Sequence, residues 1–113
     1  MRRVLVANRG EIACRIIRTL DRMGLESVAV FTDPDRDALH VDLATIALPL
    51  GAPDGYLDRA LVVEAARAVG ADMVHPGYGF LAEDAELAVA VEAAGMCFAG
   101  PTSAQTIAIP TQP

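Results

Sequence analysis

The sequence predicts an α/β domain built on a parallel sheet of about five strands, with helices on both faces. Short apolar runs alternate with amphipathic stretches of about twelve residues, the pattern of consecutive βαβ units. The strand-like runs are apolar and rich in valine and isoleucine, as expected where both faces of a sheet are covered. Glycine closes each helical stretch. Right-handed crossovers then leave a doubly wound, Rossmann-like arrangement. The length of 113 residues suits a single domain.

Val4-Leu5-Val6-Ala7 reads as the first strand, bounded by Asn8-Arg9-Gly10. Ile12, Ile16, Ile17 and Leu20 then recur at helical spacing, with Glu11, Arg15, Arg18 and Arg22 on the other side, and the helix should end at Met23-Gly24. Ser27 to Phe31 is the second strand, closed by Thr32-Asp33-Pro34-Asp35, and Arg36 to Asp42 allows one helical turn. Ile46-Ala47-Leu48 is a third strand, and Gly51 to Gly55 reads as a plain loop. Asp58 to Val69 is helical, Asp72-Met73-Val74 is a fourth strand, Glu83 to Ala94 is an alanine-rich helix, and Met96 to Ala99 is a fifth strand. Ser103 reads as an N-cap of a helix that barely starts before Pro110.

Composition removes several classes. With 53% apolar residues and 21% charged ones, the chain is not of a disordered type. Fifteen acids against nine basic residues, net charge -6, argue against nucleic acid as a partner, because that affinity rests on Lys and Arg neutralising phosphates. The basic residues gathered in the first 22 positions read as a solvated helix face. No apolar run reaches the roughly 20 residues of a membrane helix. None resembles a signal peptide either, so the expected location is cytoplasmic. Cys14 and Cys97 lack paired spacing and are expected as buried, reduced thiols.

The stretch His75-Pro76-Gly77-Tyr78-Gly79-Phe80 asks for a function, and Gly77 to Ala82 matches G-x-G-x-x-A literally. The context opposes a dinucleotide site. That fingerprint belongs in the first βα turn, with an acid about 20 residues on, and none lies there. Glu83 and Asp84 would also sit in the first helical turn, where they repel a pyrophosphate. The first turn has the converse defect: Asp33 stands at a suitable distance, but Asn8-Arg9-Gly10 offers one glycine. His40 and His75 have no partners at metal-ligand spacing, so no metal site is expected. His75 could act as a base or brace its loop; Tyr78 could face a cleft or pack in the core. No catalytic residue emerges.

The blocks Val6-Ala7-Asn8-Arg9-Gly10-Glu11-Ile12-Ala13, Asp35-Arg36-Asp37 with Leu39-His40-Val41, His75 to Glu83, and Phe98-Ala99-Gly100-Pro101 together resemble the N-terminal, pre-ATP-grasp domain of biotin carboxylases. The resemblance runs from residue 1 to about 107. It implies a domain over residues 1–109 with a tail at 110–113, while the ATP-grasp and C-terminal parts are absent from these residues. It implies, for the complete enzyme, carboxylation of biotin driven by Mg-ATP and bicarbonate, with a biotin carrier protein as partner, and no cofactor bound by this chain alone. Tyr78, Gly79, Gly77 and His75 would border the substrate cleft. Asn8, Arg9, Gly10 and Glu11 are the family signature, expected to form the turn that anchors the first helix. Arg15 and Arg18 match helix positions used at a subunit interface. Surface left uncovered by the other domains would favour self-association. Two other readings stay open, a non-catalytic α/β interaction domain and a dinucleotide-binding domain.

Overall fold

Strand β1 (Arg3–Val6) lies at the centre of the sheet in the computed structural model, which describes residues 2–78 and 84–99. Helix α1 (Gly10–Arg22) carries the chain to β2 (Glu26–Thr32). A 3-10 helix (Asp33–Asp35) and the short α2 (Leu39–Leu43) lead to the edge strand β3 (Ile46–Gly51). A second 3-10 helix (Pro53–Leu57) and α3 (Arg59–Ala68) return it to β4 (Met73–His75). Helix α4 (Ala85–Ala93) then reaches β5 (Cys97–Phe98). The strand order is β3-β2-β1-β4-β5 and every pairing is parallel, which agrees with the predicted class.

Side chains alternate across the sheet and so build two apolar layers. Val4, Val6 and Ala29 pack under Ala13, Ile17 and Leu20 of α1. On the opposite face Leu5, Val28, Val30 and Val74 meet Val62 and Ala66 of α3 and Leu87 and Val91 of α4. Each fully buried valine, leucine or isoleucine among them contributes about 1.5–3 kcal/mol. Helix α1 presents Glu11, Arg15, Arg18 and Arg22 to solvent, and the chain leaves it through Gly24 at φ 77°, a left-handed conformation that glycine adopts without a Cβ clash.

Three details depart from expectation. Gly51 to Gly55 is not a plain loop, because the 3-10 helix that starts at Pro53 turns Tyr56 into the core. The helix expected over Glu83 to Ala94 begins at Ala85, with Asp84 outside it as N-cap: the carboxylate accepts from the Glu86 and Leu87 amides at 3.0 and 3.2 Å, and Arg59 of α3 ties to it. Cys14 is buried as expected, but Cys97 is exposed. Cys97 pairs with Met73 and shares its side of the sheet, and beyond β4 no helix covers that side among the described residues. Ser103 and the tail from 110 lie outside the described residues.

Candidate functional site

In an open parallel sheet the ligand crevice forms beyond the carboxyl ends of the strands, where the strand order reverses. Here that point lies between β1, followed by Asn8-Arg9-Gly10, and β4, followed by Pro76-Gly77-Tyr78. The fold therefore brings the signature residues and the glycine loop, far apart in sequence, to one place.

The last ladder bond between these strands runs from the Ala7 amide to the His75 carbonyl at 2.8 Å. Pro76 has no N–H to extend it. Past that point Asn8 takes over. Its side chain is 1% exposed, and Nδ2 donates to the carbonyls of Pro76 at 2.8 Å and Tyr78 at 2.9 Å, while Oδ1 accepts from the Arg9 amide at 2.8 Å. Gly77 sits at φ 68°, and a Cβ there would lie 2.7 Å from Ile12 Cγ2 and 2.9 Å from Asn8 Nδ2. Glycine is needed twice over, for its conformation and for the close approach.

His75 braces this loop, since its Nδ1 accepts from the Gly77 amide at 3.1 Å. Burial lowers the affinity of His75 for a proton, so the neutral ring that can accept this bond is favoured. Tyr78 is 66% exposed, with its ring outside the core. Gly79, the fourth residue expected at the cleft, lies outside the described residues, as does Glu83.

Arg9 turns the other way. Its guanidinium forms a two-point ion pair with Asp35 beyond the end of β2, and Tyr56 donates its hydroxyl to the same carboxylate at 2.7 Å. Arg9 also lies over the Tyr56 ring, 5.9 Å from its centroid. The hydrogen bond from Arg9 holds the Asp35 carboxyl down at about 2, well below the usual range, although burial works against it. Burial first, and then the bond to Asp35, push the Tyr56 hydroxyl up to about 12. Asp35 raises the already high proton affinity of Arg9. Nearby, His40 is buried and donates from Nε2 to the Val30 carbonyl at 3.1 Å, which pins α2 to β2.

The remaining signature residues, Gly10 and Glu11, are exposed at the start of α1. Arg15 and Arg18 are exposed on the same helix. Arg15 borders a groove of about 390 Å³ that runs between α1 and β4 and is walled by Ile16, Met23, Leu25 and Met73. Asp33, the acid considered for a ribose, is exposed, and Arg36 approaches it at 3.7 Å.

Sequence reasoning missed Asp35 and Tyr56 as partners of Arg9. The available signal was a tyrosine in a Gly/Pro segment, one of only two in the chain. The arrangement offers a fixed loop that presents an aromatic ring and hydroxyl, with no nucleophile–base pair beside it among the described residues. Among the described residues no group of three or more His, Cys, Asp or Glu could hold a metal ion.

A family model for the biotin carboxylase N-terminal domain matches residues 1–106. The mitochondrial methylcrotonoyl-CoA carboxylase subunit alpha of Glycine max is 52% identical over 102 residues, covering 88% of this chain and 14% of that protein. Biotin carboxylase 1 of Bacillus subtilis is 45% identical over 106 residues, covering 91% of this chain and 24% of its own. Among solved structures, the biotin carboxylase domain dimer of Hydrogenobacter thermophilus 2-oxoglutarate carboxylase, in complex with MgADP, ADP and bicarbonate, superposes with a TM-score of 0.91 at 42% identity. That match covers 94% of this chain and 24% of the other. The chain thus spans about a seventh of the first of these relatives and about a quarter of the other two.

Proposed function

This chain belongs to the biotin carboxylase N-terminal domain family, and from that premise we propose that it forms one wall of the active-site cleft of a biotin-dependent carboxylase. The complete enzyme would carboxylate biotin at the expense of Mg-ATP and bicarbonate. The observation that carries the reading is the glycine loop held at the switch point, with Tyr78 standing out of it.

In this reading Tyr78, Gly77, Gly79 and His75 border the cleft where biotin docks. His75 keeps the turn in shape and Tyr78 offers the ring and hydroxyl. We assign residues 1–109 to the domain. ATP-grasp and C-terminal parts supply the rest of the enzyme, and a biotin carrier protein delivers the substrate. Arg15 and Arg18, beside the α1 groove, serve an interface with other protein. We place its work in the cytoplasm; no described helix is long and apolar enough to cross a membrane.

Among the described residues no group of three or more His, Cys, Asp or Glu could hold the magnesium ion of Mg-ATP. We therefore expect no ATP cleavage by the chain alone, and no step of the reaction is assigned to it beyond orienting what enters the cleft.

Reconstitution tests this. The Bacillus subtilis biotin carboxylase lacking its own N-terminal domain should regain bicarbonate-dependent ATP cleavage and free-biotin carboxylation when mixed or co-expressed with this chain. ATP cleavage by this chain alone, or failure to restore activity while the two parts bind, would overturn the reading. A dinucleotide site is the weaker reading, because the buried Asn8 amide already ties the loop after β4 to the end of β1 at the switch point.

A further inference from the structure

We infer that Asn8 is the positioning residue of the cleft: its buried carboxamide sets where the glycine loop carries Tyr78. The role in substrate handling rests on the function proposed above, whereas the structural half stands by itself.

An asparagine at a strand end that only started a helix would spend its side chain on nearby amides. Asn8 does so with Oδ1 alone, through the Arg9 amide. Both Nδ2 hydrogens go to carbonyls 68 and 70 residues further along the chain, on either side of Gly77. These demands together call for a carboxamide. Aspartate would set a carboxylate against two carbonyl oxygens, and serine has one hydrogen for two acceptors. The orientation of the amide is itself fixed, since a flipped group would turn its oxygen towards both carbonyls and its nitrogen towards a donor.

The opposite side of the contact is matched to it. A Cβ at residue 77 would fall 2.9 Å from Asn8 Nδ2, so only glycine lets the backbone come within reach. Asn8 is also anchored from behind. It is joined to Arg9, whose guanidinium is held by Asp35, and Asp35 is held in turn by Tyr56. The loop after β4 is thereby registered against the ends of β1 and β2 and against the 3-10 helix Pro53–Leu57. Tyr78 is solvent-exposed, yet its own carbonyl is tied to a buried group. Such a residue is held in place by its backbone with its ring left free for contact.

Asn8→Asp keeps the acceptor for Arg9 and removes both donors. Amide hydrogen exchange on the 113-residue chain should show the Gly77 amide, which donates to His75 Nδ1 inside this loop, exchanging about tenfold faster or more once the loop loses its hold on Asn8. The amides of Leu5 and Val28 should stay within about twofold of the parent. Gly77→Ala attacks the same contact from the other side and should give the same pattern. Unchanged exchange at the loop, or a uniform rise across the sheet, would overturn the inference. In the reconstituted carboxylase, Asn8→Asp should raise KM for biotin by about tenfold with KM for ATP unchanged. A fall in kcat alone, or equal rises in both KM values, would reject the cleft role. Should the parent chain fail to restore activity, the proposed function falls, and the exchange pattern still decides whether Asn8 sets the loop.

Discussion

Arg9 and Asp35 meet beyond the carboxyl ends of β1 and β2 in a two-point ion pair, with Arg9 Nη2 2.7 Å from Asp35 Oδ1. The carboxylate is almost fully buried while the guanidinium stays half-exposed. Removing the acid therefore strands no buried cation, and removing the arginine would leave a buried carboxylate with only Tyr56 for company. Asp35 is held at about 2, below its unfolded value of roughly 3.9, so its contribution is present above the unfolded value. It is lost as pH falls through about 4 towards 2. We expect that step to remove about 1–2 kcal/mol, after allowing for the exposed guanidinium. Urea unfolding at pH 6 and pH 2.5 should show a smaller difference for Asp35→Asn than for the parent.

Tyr56 gives the same network a second readout. The chain contains no tryptophan and two tyrosines, so the Tyr78→Phe variant leaves Tyr56 as the sole phenol. Its ultraviolet absorbance should titrate near 12. In the Asp35→Asn, Tyr78→Phe double variant the midpoint should move down, towards 10, because the carboxylate no longer opposes phenolate formation. A raised phenol stabilises the fold below its unfolded value and loses that contribution as pH climbs from about 10 to 12. An unmoved midpoint in the double variant would mean that burial alone sets it.

The two thiols should separate cleanly. Cys97 is exposed on the edge strand, and Cys14 is a buried residue of α1, where burial pushes its thiol up. Ellman's reagent at pH 8 should label one thiol within minutes and the second only on unfolding. Cys97→Ser should abolish the fast phase. Equal rates for both would contradict the burial of Cys14 on α1.

What the sequence disclosed and what it hid follow from the range of the interactions. Val4 to Ala7, Ile12 to Leu20 and Asp58 to Val69 carry their structure in local periodicity, and they fold where the periodicity puts them. The parallel sheet follows from their alternation. The site does not. Arg9 and Asp35 are 26 residues apart, and Asn8 and Tyr78 are 70 apart, so no window of sequence contains either contact. Tyr56 was hidden by the Gly/Pro composition around it, which reads as loop whether or not the segment buries an aromatic ring. Asp84 illustrates the same limit at short range, because an acid beside a helix start can be a first-turn residue or its cap. Cys97 was misjudged for a different reason: burial of a strand residue depends on what covers the sheet, which a strand pattern does not say.

The His75 brace makes the glycine loop sensitive to acid. Nδ1 can accept the Gly77 amide only while that nitrogen carries no proton, and burial favours the neutral ring. The depressed proton affinity means that the contribution is present above the unfolded value of roughly 6.5 and is lost as pH falls through the lower, folded value. His75 should therefore titrate below 6.5 when followed by its ring proton shifts, in contrast to a solvated histidine. Across the same window the Gly77 amide should lose its protection from exchange, after correction for the intrinsic rate. Amides inside β1 and β2 should hold theirs, because the ladder does not depend on this ring. His75→Gln can supply a side-chain oxygen to Gly77 without a titrating group, so its loop protection should become independent of pH between about 4.5 and 7. A His75 midpoint at or above 6.5, or a Gly77 amide that stays protected below it, would show that the ring does not brace the turn.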